Sequence, residues 1–595
     1  MDYHAPLADM QFVLRELATQ DPGTPLPGFE DFTPDLVSAV LGEAAKFAQG
    51  VLSPLNTVGD RVGARWHQGT VQTAPGWPAA YTQFVDNGWN ALSCSPAHGG
   101  QGLPRVVSSL VEEMWNGANV AFALCPMLTR GAIEALELRG SEAQKAMYLP
   151  KMVNGEWTGS MNLTEPQAGS DLAAVRARAV PQADGSHRVH GQKIFITYGE
   201  HDLTDNIVHL VLARTPNAPE GVKGISLFVV PKFLVNTDGS LGARNDVHCV
   251  SIEHKLGIHG SPTAVLAFGD TEGAIGWLVG EENRGLETMF IMMNAARYSV
   301  GLEGVGLCER ATQRAVAYAR GRVQGTELGS PSRDKVAIIR HPDVRRMLLQ
   351  MKSRTEALRA VACVVAAAMD QAAAHPDAAE RERQQAFVDL MIPVVKGWST
   401  ESAVLVTSLG VQVHGGMGFI EETGAAQHLR DARITPIYEG TTGIQAADLV
   451  GRKVARDQGH GIRIVIAQMD GVCRALGQQN DPQLKAICAS LDSGIQALEK
   501  AVQFVVSATD PRISAAGSVP FLELFAIVAG GWQMARAAGV ARRQLDAGEG
   551  DAAFLRAKLI TARFYADHVL SAATGLAHAV LHGADATLTM EDGQL

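Results

Sequence analysis

Gly159-Ser-Met-Asn-Leu-Thr-Glu-Pro-Gln-Ala-Gly-Ser-Asp171 is the stretch at which this chain changes texture. Before it, from about residue 35 to residue 155, the pattern is helical: Leu36, Val40, Ala44 and Phe47 recur on one face of a 3.6-residue period. After it, short β-rich runs alternate with turn signals: Lys193-Ile-Phe-Ile-Thr197, Ile207-Val-His-Leu-Val-Leu-Ala213, Gly224-Ile-Ser-Leu-Phe-Val-Val230, Val247-His-Cys-Val-Ser-Ile252 and Ala264-Val-Leu-Ala-Phe268. Their spacing predicts a β-barrel or sandwich of about 120 residues.

Long helices return from Gly285. Behind His341-Pro342, where proline suits a first helical turn, Val344, Met347, Met351, Leu358 and Ala362 form an apolar stripe. A last helical region, rich in alanine, follows the loop Arg456-Asp-Gln-Gly-His-Gly461. The expected organisation is therefore α+β, mostly α. It comprises an N-terminal extension (1–34), a helical domain (35–158), a β-barrel domain (159–284), a second helical domain (285–458) and an additional helical domain (459–595).

The bulk properties agree with several domains. A chain of 595 residues exceeds what one core supports. With 46% hydrophobic and 19% charged residues it has the composition of a soluble globular protein. A net charge of -11 argues against a general nucleic-acid or anionic-membrane surface. The seven cysteines form no CxxC pair and no metal-like spacing, so reduced thiols in the cytoplasm and no metal site are expected. No basic n-region with an apolar run opens the sequence, and the longest apolar stretch, Ala360 to Met369, is too short to span a bilayer.

Three stretches carry candidate chemistry. In the first, Thr164, Gly169 and Ser170 supply backbone N–H groups and short hydroxyls that can approach a ligand's polar edge. An ordinary turn-rich connection explains the same composition. In the second, Gln412-Val-His-Gly-Gly-Met-Gly418, adjacent glycines let backbone amides approach a phosphate or carbonyl, or simply end a helix. No Rossmann or P-loop fingerprint accompanies them. The third is Arg430-Asp-Ala-Arg-Ile-Thr-Pro-Ile-Tyr-Glu-Gly-Thr-Thr-Gly-Ile-Gln445. There Glu439, preceded by Ile437 and Tyr438, could sit in a largely apolar pocket. Burial would raise its pKa and suit it to proton abstraction. A loop glutamate is otherwise a solvated group.

Taken together and in this order, the stretches resemble the acyl-CoA dehydrogenase family from roughly residue 35 to residue 455. Leu-Thr-Glu-Pro-x-Ala-Gly-Ser-Asp at 163–171, Lys-Ile-Phe-Ile-Thr at 193–197, Gln-Val-His-Gly-Gly-Met-Gly-Phe at 412–419 and Ile-Tyr-Glu-Gly-Thr at 437–441 look like four of its motifs. The texture is similar to the long branch with a C-terminal helical extension, which includes 3-(methylthio)propanoyl-CoA dehydrogenases. Val51-Leu-Ser-Pro-Leu-Asn56 and Gly99-Gly-Gln-Gly-Leu-Pro104 look like that branch too.

The resemblance implies a fold with an N-terminal helical domain, a β-barrel, a four-helix bundle and an extra helical domain. It also implies an FAD cofactor. Met161, Leu163 and Thr164 would line the isoalloxazine, Phe195 would stack on it, and Thr197 would place a hydroxyl near the hydride-accepting nitrogen. Gly169 and Ser170 belong to the same loop, and Ser170 would reach pantetheine or the flavin pyrophosphate. Gln412 and Gly416 would hold the adenosine end of a flavin bound mainly by a partner subunit. Arg322 would reach the neighbouring pyrophosphate, and Thr441 the adenine side. Arg297, Tyr438 and Gly440 are the expected substrate contacts; for Arg297, a structural helix salt bridge is the alternative. Glu439 would be the base in α,β-dehydrogenation of an acyl-CoA thioester. Electron-transferring flavoprotein would be the acceptor and a homodimer the assembly. An acyl-CoA oxidase using oxygen is the nearest rival. A DNA-binding flavoprotein on the same fold would need a larger basic surface than Arg452, Lys453, Arg456 and Arg463 offer.

Overall fold

The computed structural model describes residues 3–18 and 26–595. Positions 1–2 and 19–25 of the expected N-terminal extension lie outside the described residues. The rest of that extension is tied to the body, with helix Leu7–Val13 placing Asp9 against Arg359 and Lys558.

The first helical region is built on Pro34–Phe47, Ser53–Val62, Trp77–Asp86, Arg105–Arg139 and Glu142–Val153. Thr33 caps the first of these, its hydroxyl accepting from Leu36 N at 3.3 Å just ahead of Pro34. Leu41, Ala44 and Phe47 are buried, but Leu36, expected on the same face, is exposed in the first turn. Arg105–Arg139 is kinked at Asn119, whose backbone is non-helical. The Asn119 side chain caps the second half by accepting from Phe122 N at 3.1 Å, so the break costs no orphaned donor there.

The five strands expected from composition are present: three run longer than expected, Val247–Ile252 keeps its bounds, and the one expected at 224–230 runs from Ser226 to Pro231. Hydrogen bonding runs in the order Val247–Ile252, Thr263–Phe268, His187–Thr197, Ala274–Val279, Ser226–Pro231, Asn206–Ala213, Trp157–Asn162, with Arg178–Pro181 also on His187–Thr197. The sheet curls around its own apolar core of Val189, Val211, Phe228, Val230, Leu266 and Phe268, and Ala177 and Ala179 bond to Arg214 across it. Trp157–Asn162 is a strand that the sequence pattern does not announce. It is buried along its whole length and pairs parallel to Asn206–Ala213, so no apolar/polar alternation marks it.

Helices Gly285–Gly321, Pro342–Ala374 and Ala378–His414 then pack lengthwise, followed by Ala425–Ala432 and Thr442–Ala447. The additional region contributes His460–Gly477, Pro482–Ser507, Ser518–Ala547, Ala552–His568 and Ala573–His582. Its helix Ser518–Ala547 seats Gly530 so closely on Trp398 that an added Cβ would come within 2.5 Å of the indole. Pro342–Ala374 and Ser518–Ala547 are long and apolar enough to cross a membrane, which the 360–369 stretch alone does not suggest; both bury most of their apolar windows against protein.

Candidate active site

Three parts of the chain converge on the segment that carries Glu439. Arg430 forks onto Asp60 of the first helical region at 2.7 and 2.6 Å and onto Glu421 at 2.7 Å. Asp431, buried one residue later, accepts from Ile258 N of the β region at 2.5 Å. Gly257 lies so close to the Arg430 backbone that a Cβ there would sit 2.4 Å from it. The loop leaving helix Ala425–Ala432 is thus fixed at its root by both preceding regions.

The loop itself is a tight, strained turn. Glu439 has φ +54, in the left-handed region that non-glycine residues seldom enter, and Gly440 follows at φ +88. A side chain on Gly440 would meet Gln445 Nε2 at 2.8 Å. The turn is held by its carbonyls. Lys396, fully buried on helix Ala378–His414, donates to Thr435 O at 2.9 Å and Gly440 O at 2.7 Å. Gln445 Nε2 donates to Glu439 O at 3.3 Å. Thr442 N closes on Pro436 O at 3.0 Å, and its hydroxyl donates to Glu401 at 2.6 Å. Thr441 caps the following helix, accepting from Ile444 N at 3.2 Å. Among the described residues, the Glu439 N–H has no acceptor.

The electrostatics suit a base. Glu439 is half-buried, yet the protein packed around its carboxyl lifts its pKa to about 7, against the opposing pull of Arg297 and Lys396. Burial lowers Lys396 to about 8, against Glu439 and Glu303. Arg297 is buried and reaches Asn294 Oδ1 at 3.4 Å; its Nε has no partner among the described residues. No carboxylate lies within 4.0 Å of it there, so the helix salt bridge offered as its alternative role is not formed. Tyr438 donates its hydroxyl to Glu303.

A second group of candidates lines the β region. Leu163 O accepts from Lys193 Nζ at 3.0 Å and Thr164 O from Ile194 N at 2.9 Å, so the 161–171 loop lies directly on the 193–197 strand segment. Glu165 anchors this union. It pairs with fully buried Lys193 at 2.8 Å and accepts from Arg176 N and Ala177 N at 2.7 and 3.0 Å. Burial would raise Glu165, but Lys193 and the two amides outweigh it and hold the carboxyl below its ordinary value.

Opposite Val265, where two residues of His187–Thr197 face one of Thr263–Phe268, a bulge puts Phe195 at φ +59 and leaves 59% of it exposed. Met161 and Leu163 are buried, and Thr164 and Thr197 are half-buried with hydroxyls that have no partner among the described residues. Gly169 and Ser170 are exposed. An aromatic face, two apolar side chains and two uncommitted hydroxyls fit the flat, hetero-edged ring of a flavin.

Arg322, Gln412 and Gly416 form a third, exposed group. Arg322 ends helix Gly285–Gly321 and donates its N–H to Tyr318 O; the Tyr318 ring stacks at 4.3 Å on His414, between the other two. Arg322 lies 25 residues beyond Arg297 on a helix, about 37 Å along its axis. These residues therefore assemble far from Glu439 within one chain. Thr441, grouped with them by expectation, lies beside Glu439 instead.

Sequence reasoning did not single out Glu303 or Lys396. Each was signalled by one charge inside an apolar helical run, Val300-Gly-Leu-Glu-Gly-Val-Gly-Leu307 and Met391-Ile-Pro-Val-Val-Lys-Gly-Trp398.

Comparison with known proteins finds four family models in order along most of the chain. Residues 39–156, 160–271 and 283–454 fit the models of the acyl-CoA dehydrogenase N-terminal, middle and C-terminal domains. Residues 465–591 fit an acetyl-CoA dehydrogenase C-terminal-like domain. The chain is 50% identical to 3-methylmercaptopropionyl-CoA dehydrogenase of Ruegeria pomeroyi, over 96% of both chains. It is 34% identical to a butyryl-CoA dehydrogenase of Syntrophomonas wolfei, again over 96% of each. In fold it is similar to a Bacillus anthracis acyl-CoA dehydrogenase complexed with FAD, with TM-score 0.72 and 20% identity over 94% of this chain and 90% of that one.

Proposed function

Because this chain belongs to the acyl-CoA dehydrogenase family, we propose that it oxidises a saturated acyl-CoA to the trans-2-enoyl-CoA with Glu439 as base. The observation that carries this reading is the Glu439 turn: a carboxyl lifted to about 7, held at a strained backbone position beside Arg297 and Lys396. FAD, when bound, supplies the acceptor for the hydride that leaves the β-carbon. Phe195, Met161, Leu163, Thr164 and Thr197 hold its ring, with Gly169 and Ser170 at the pantetheine or pyrophosphate edge. The Glu439 N–H, with no acceptor among the described residues, donates to the thioester carbonyl where negative charge develops. The Glu439 carboxylate takes the α-proton, so both C–H bonds break and the α,β double bond forms. Arg297 and Lys396 keep the base ionised until the proton arrives. Tyr438 and Gly440 shape the pocket around the acyl group.

Arg322, Gln412, Gly416 and, on the family pattern, Thr441 serve a flavin seated chiefly on the other subunit of a homodimer. The separation of Arg322, Gln412 and Gly416 from Glu439 within one chain supports that division, whereas Thr441, beside Glu439, rests on the family pattern alone. Seven unbridged cysteines favour a cytoplasmic setting. Electron-transferring flavoprotein takes the electrons onward.

For the acyl group, full-length identity of 50% favours 3-(methylthio)propanoyl-CoA. The test is anaerobic mixing of the FAD-loaded enzyme with that thioester, butyryl-CoA and longer, branched and aromatic acyl-CoAs, followed by flavin bleaching. Fastest bleaching by 3-(methylthio)propanoyl-CoA is expected. A preference for a straight-chain acyl-CoA would reassign the substrate, and rapid peroxide release in air would make the enzyme an oxidase.

A further inference from the structure

Behind the catalytic loop lies a buried carboxyl that the reaction as written does not use. Glu303 is wholly enclosed near the middle of helix Gly285–Gly321. One of its oxygens accepts from the Tyr438 hydroxyl, and the other has no partner among the described residues. Tyr438 is the residue immediately before Glu439, and its own N–H reaches Ile434 O at 3.2 Å. The strained peptide between Tyr438 and Glu439 is therefore gripped on one side through a side chain and on the other through the Lys396 and Gln445 bonds to the Gly440 and Glu439 carbonyls. Without such grips, a glutamate at φ +54 would relax to an ordinary turn and move its carboxyl away from the α-carbon.

The geometry points to Glu303 as a positioning residue that, as an uncharged carboxyl, holds Tyr438 and thereby keeps Glu439 in its left-handed turn; this rests on Glu439 being the base. The neutral form follows from the surroundings. An ionised Glu303 would be a buried charge with one hydrogen bond, from Tyr438, and no ion-pair partner among the described residues, which is costly. Facing it are Tyr438 and Glu439 from the loop, Lys396 from helix Ala378–His414, and Glu112 from helix Arg105–Arg139, itself paired with Arg130 at 2.5 Å. Burial, the foremost influence, pushes Glu303 up to about 8; Glu112 and Glu439 push it the same way, against Tyr438 and Lys396. A neutral carboxyl beside the base adds no charge that would alter the base's own titration.

The test compares Glu303→Gln, Glu303→Ala, Tyr438→Phe and the Glu303→Ala/Tyr438→Phe double variant with the wild type, all FAD-loaded, by anaerobic flavin reduction across pH. Thermal midpoints and flavin content identify any variant that fails to fold. Glu303→Ala is expected to lower the reduction rate about 10- to 100-fold with KM changed less than about threefold, because the base is displaced and substrate binding is not. Glu303→Gln, an uncharged isostere, should recover most of that loss. In Glu303→Gln the acid limb of the rate profile should stay within about 0.3 pH unit of wild type, whereas removing an ionised neighbour would move it down by about a unit. The double variant should be within about twofold of Glu303→Ala, since both changes remove one hydrogen bond.

Normal rates in Glu303→Ala, or a Gln variant as impaired as Ala, would overturn the proposal, as would a displaced acid limb or fully additive losses. Glu439→Gln, run alongside, separates the premises. If it turns over normally the base assignment fails, whereas a dead Glu439→Gln with a normal Glu303→Ala overturns only the positioning role.

Discussion

A carboxylate that takes a carbon-bound proton near neutral pH must be more basic than a solvated glutamate and still be ionised when substrate arrives. Glu439 meets both demands, because burial lifts it to about 7 while Arg297 and Lys396 limit the rise. The base works only when deprotonated, so kcat/KM should climb with pH, about tenfold per unit below about 7, and level off above it. Stopped-flow flavin reduction at limiting acyl-CoA reads this directly, and a flat profile between pH 6 and 8 would count against the assignment. Glu439→Gln should keep its FAD and bind acyl-CoA while losing dehydrogenation by about three or more orders of magnitude, measured as single-turnover flavin bleaching. The sequence makes Glu439 legible through the motif order around it. It cannot reveal φ +54 or the Glu303 and Lys396 grips, because these come from helices lying 136 and 43 residues earlier in the chain. A lone charge in an apolar run says only that a partner must exist, not which one.

The proposed flavin wall depends on the union of two elements, the 161–171 loop and strand His187–Thr197, and Glu165 with Lys193 is the joint. Replacing Glu165 by Ala would leave the buried Lys193 ammonium without its carboxylate and two amides without an acceptor. Loss of about 3–5 kcal/mol is expected, the range for breaking a buried ion pair from one side. Denaturant unfolding of the FAD-loaded enzyme should show a lower midpoint and earlier flavin release; an unchanged midpoint would mean that water reaches Lys193. Both members were visible in the sequence as parts of separate motifs, with nothing to say that they touch. The five strands ending in turn signals were legible because they are rich in branched and apolar residues. Trp157–Asn162 was not, since a strand enclosed on both faces has no period-2 pattern. The Phe195 bulge was hidden for a different reason. A register slip is a property of two strands, and neither alone records it.

In the whole molecule, the C-terminal helices are joined to the dehydrogenase core by buried charge as well as by apolar packing. Arg359 binds Asp9 at 2.5 Å, Glu113 at 2.6 Å and Glu309 at 2.7 Å. Lys558, from helix Ala552–His568, pairs with the same Asp9 and with Glu356 at 3.1 Å, while Lys352 holds Glu356 at 2.7 Å. The network thus connects the N-terminal helix, three core helices and the extension, and Lys558 is the extension's one cation in it among the described residues. Its ammonium also lies over the rings of Phe12 and Phe554 at 5.5 and 5.6 Å. Burial would raise the Asp9 pKa, but Lys558 and Arg359 outweigh it and hold it at about 2, below its unfolded value of 3.8. A carboxyl depressed in this way contributes stability above the unfolded pKa and loses it as pH falls from about 4 through about 2. Lys558→Met keeps the length and apolar stem but leaves Asp9 paired with Arg359 and Glu356 with Lys352 and the Thr561 hydroxyl. It should cost about 3–5 kcal/mol at neutral pH. It should also bring acid unfolding in at a higher pH, because Asp9 then protonates earlier. Thermal unfolding at pH 7 and an acid titration followed by circular dichroism would measure both effects. A destabilised variant whose acid midpoint stays in place would assign the loss to packing around Phe12 and Phe554, whereas an unchanged thermal midpoint would show that the extension is held by its apolar faces alone.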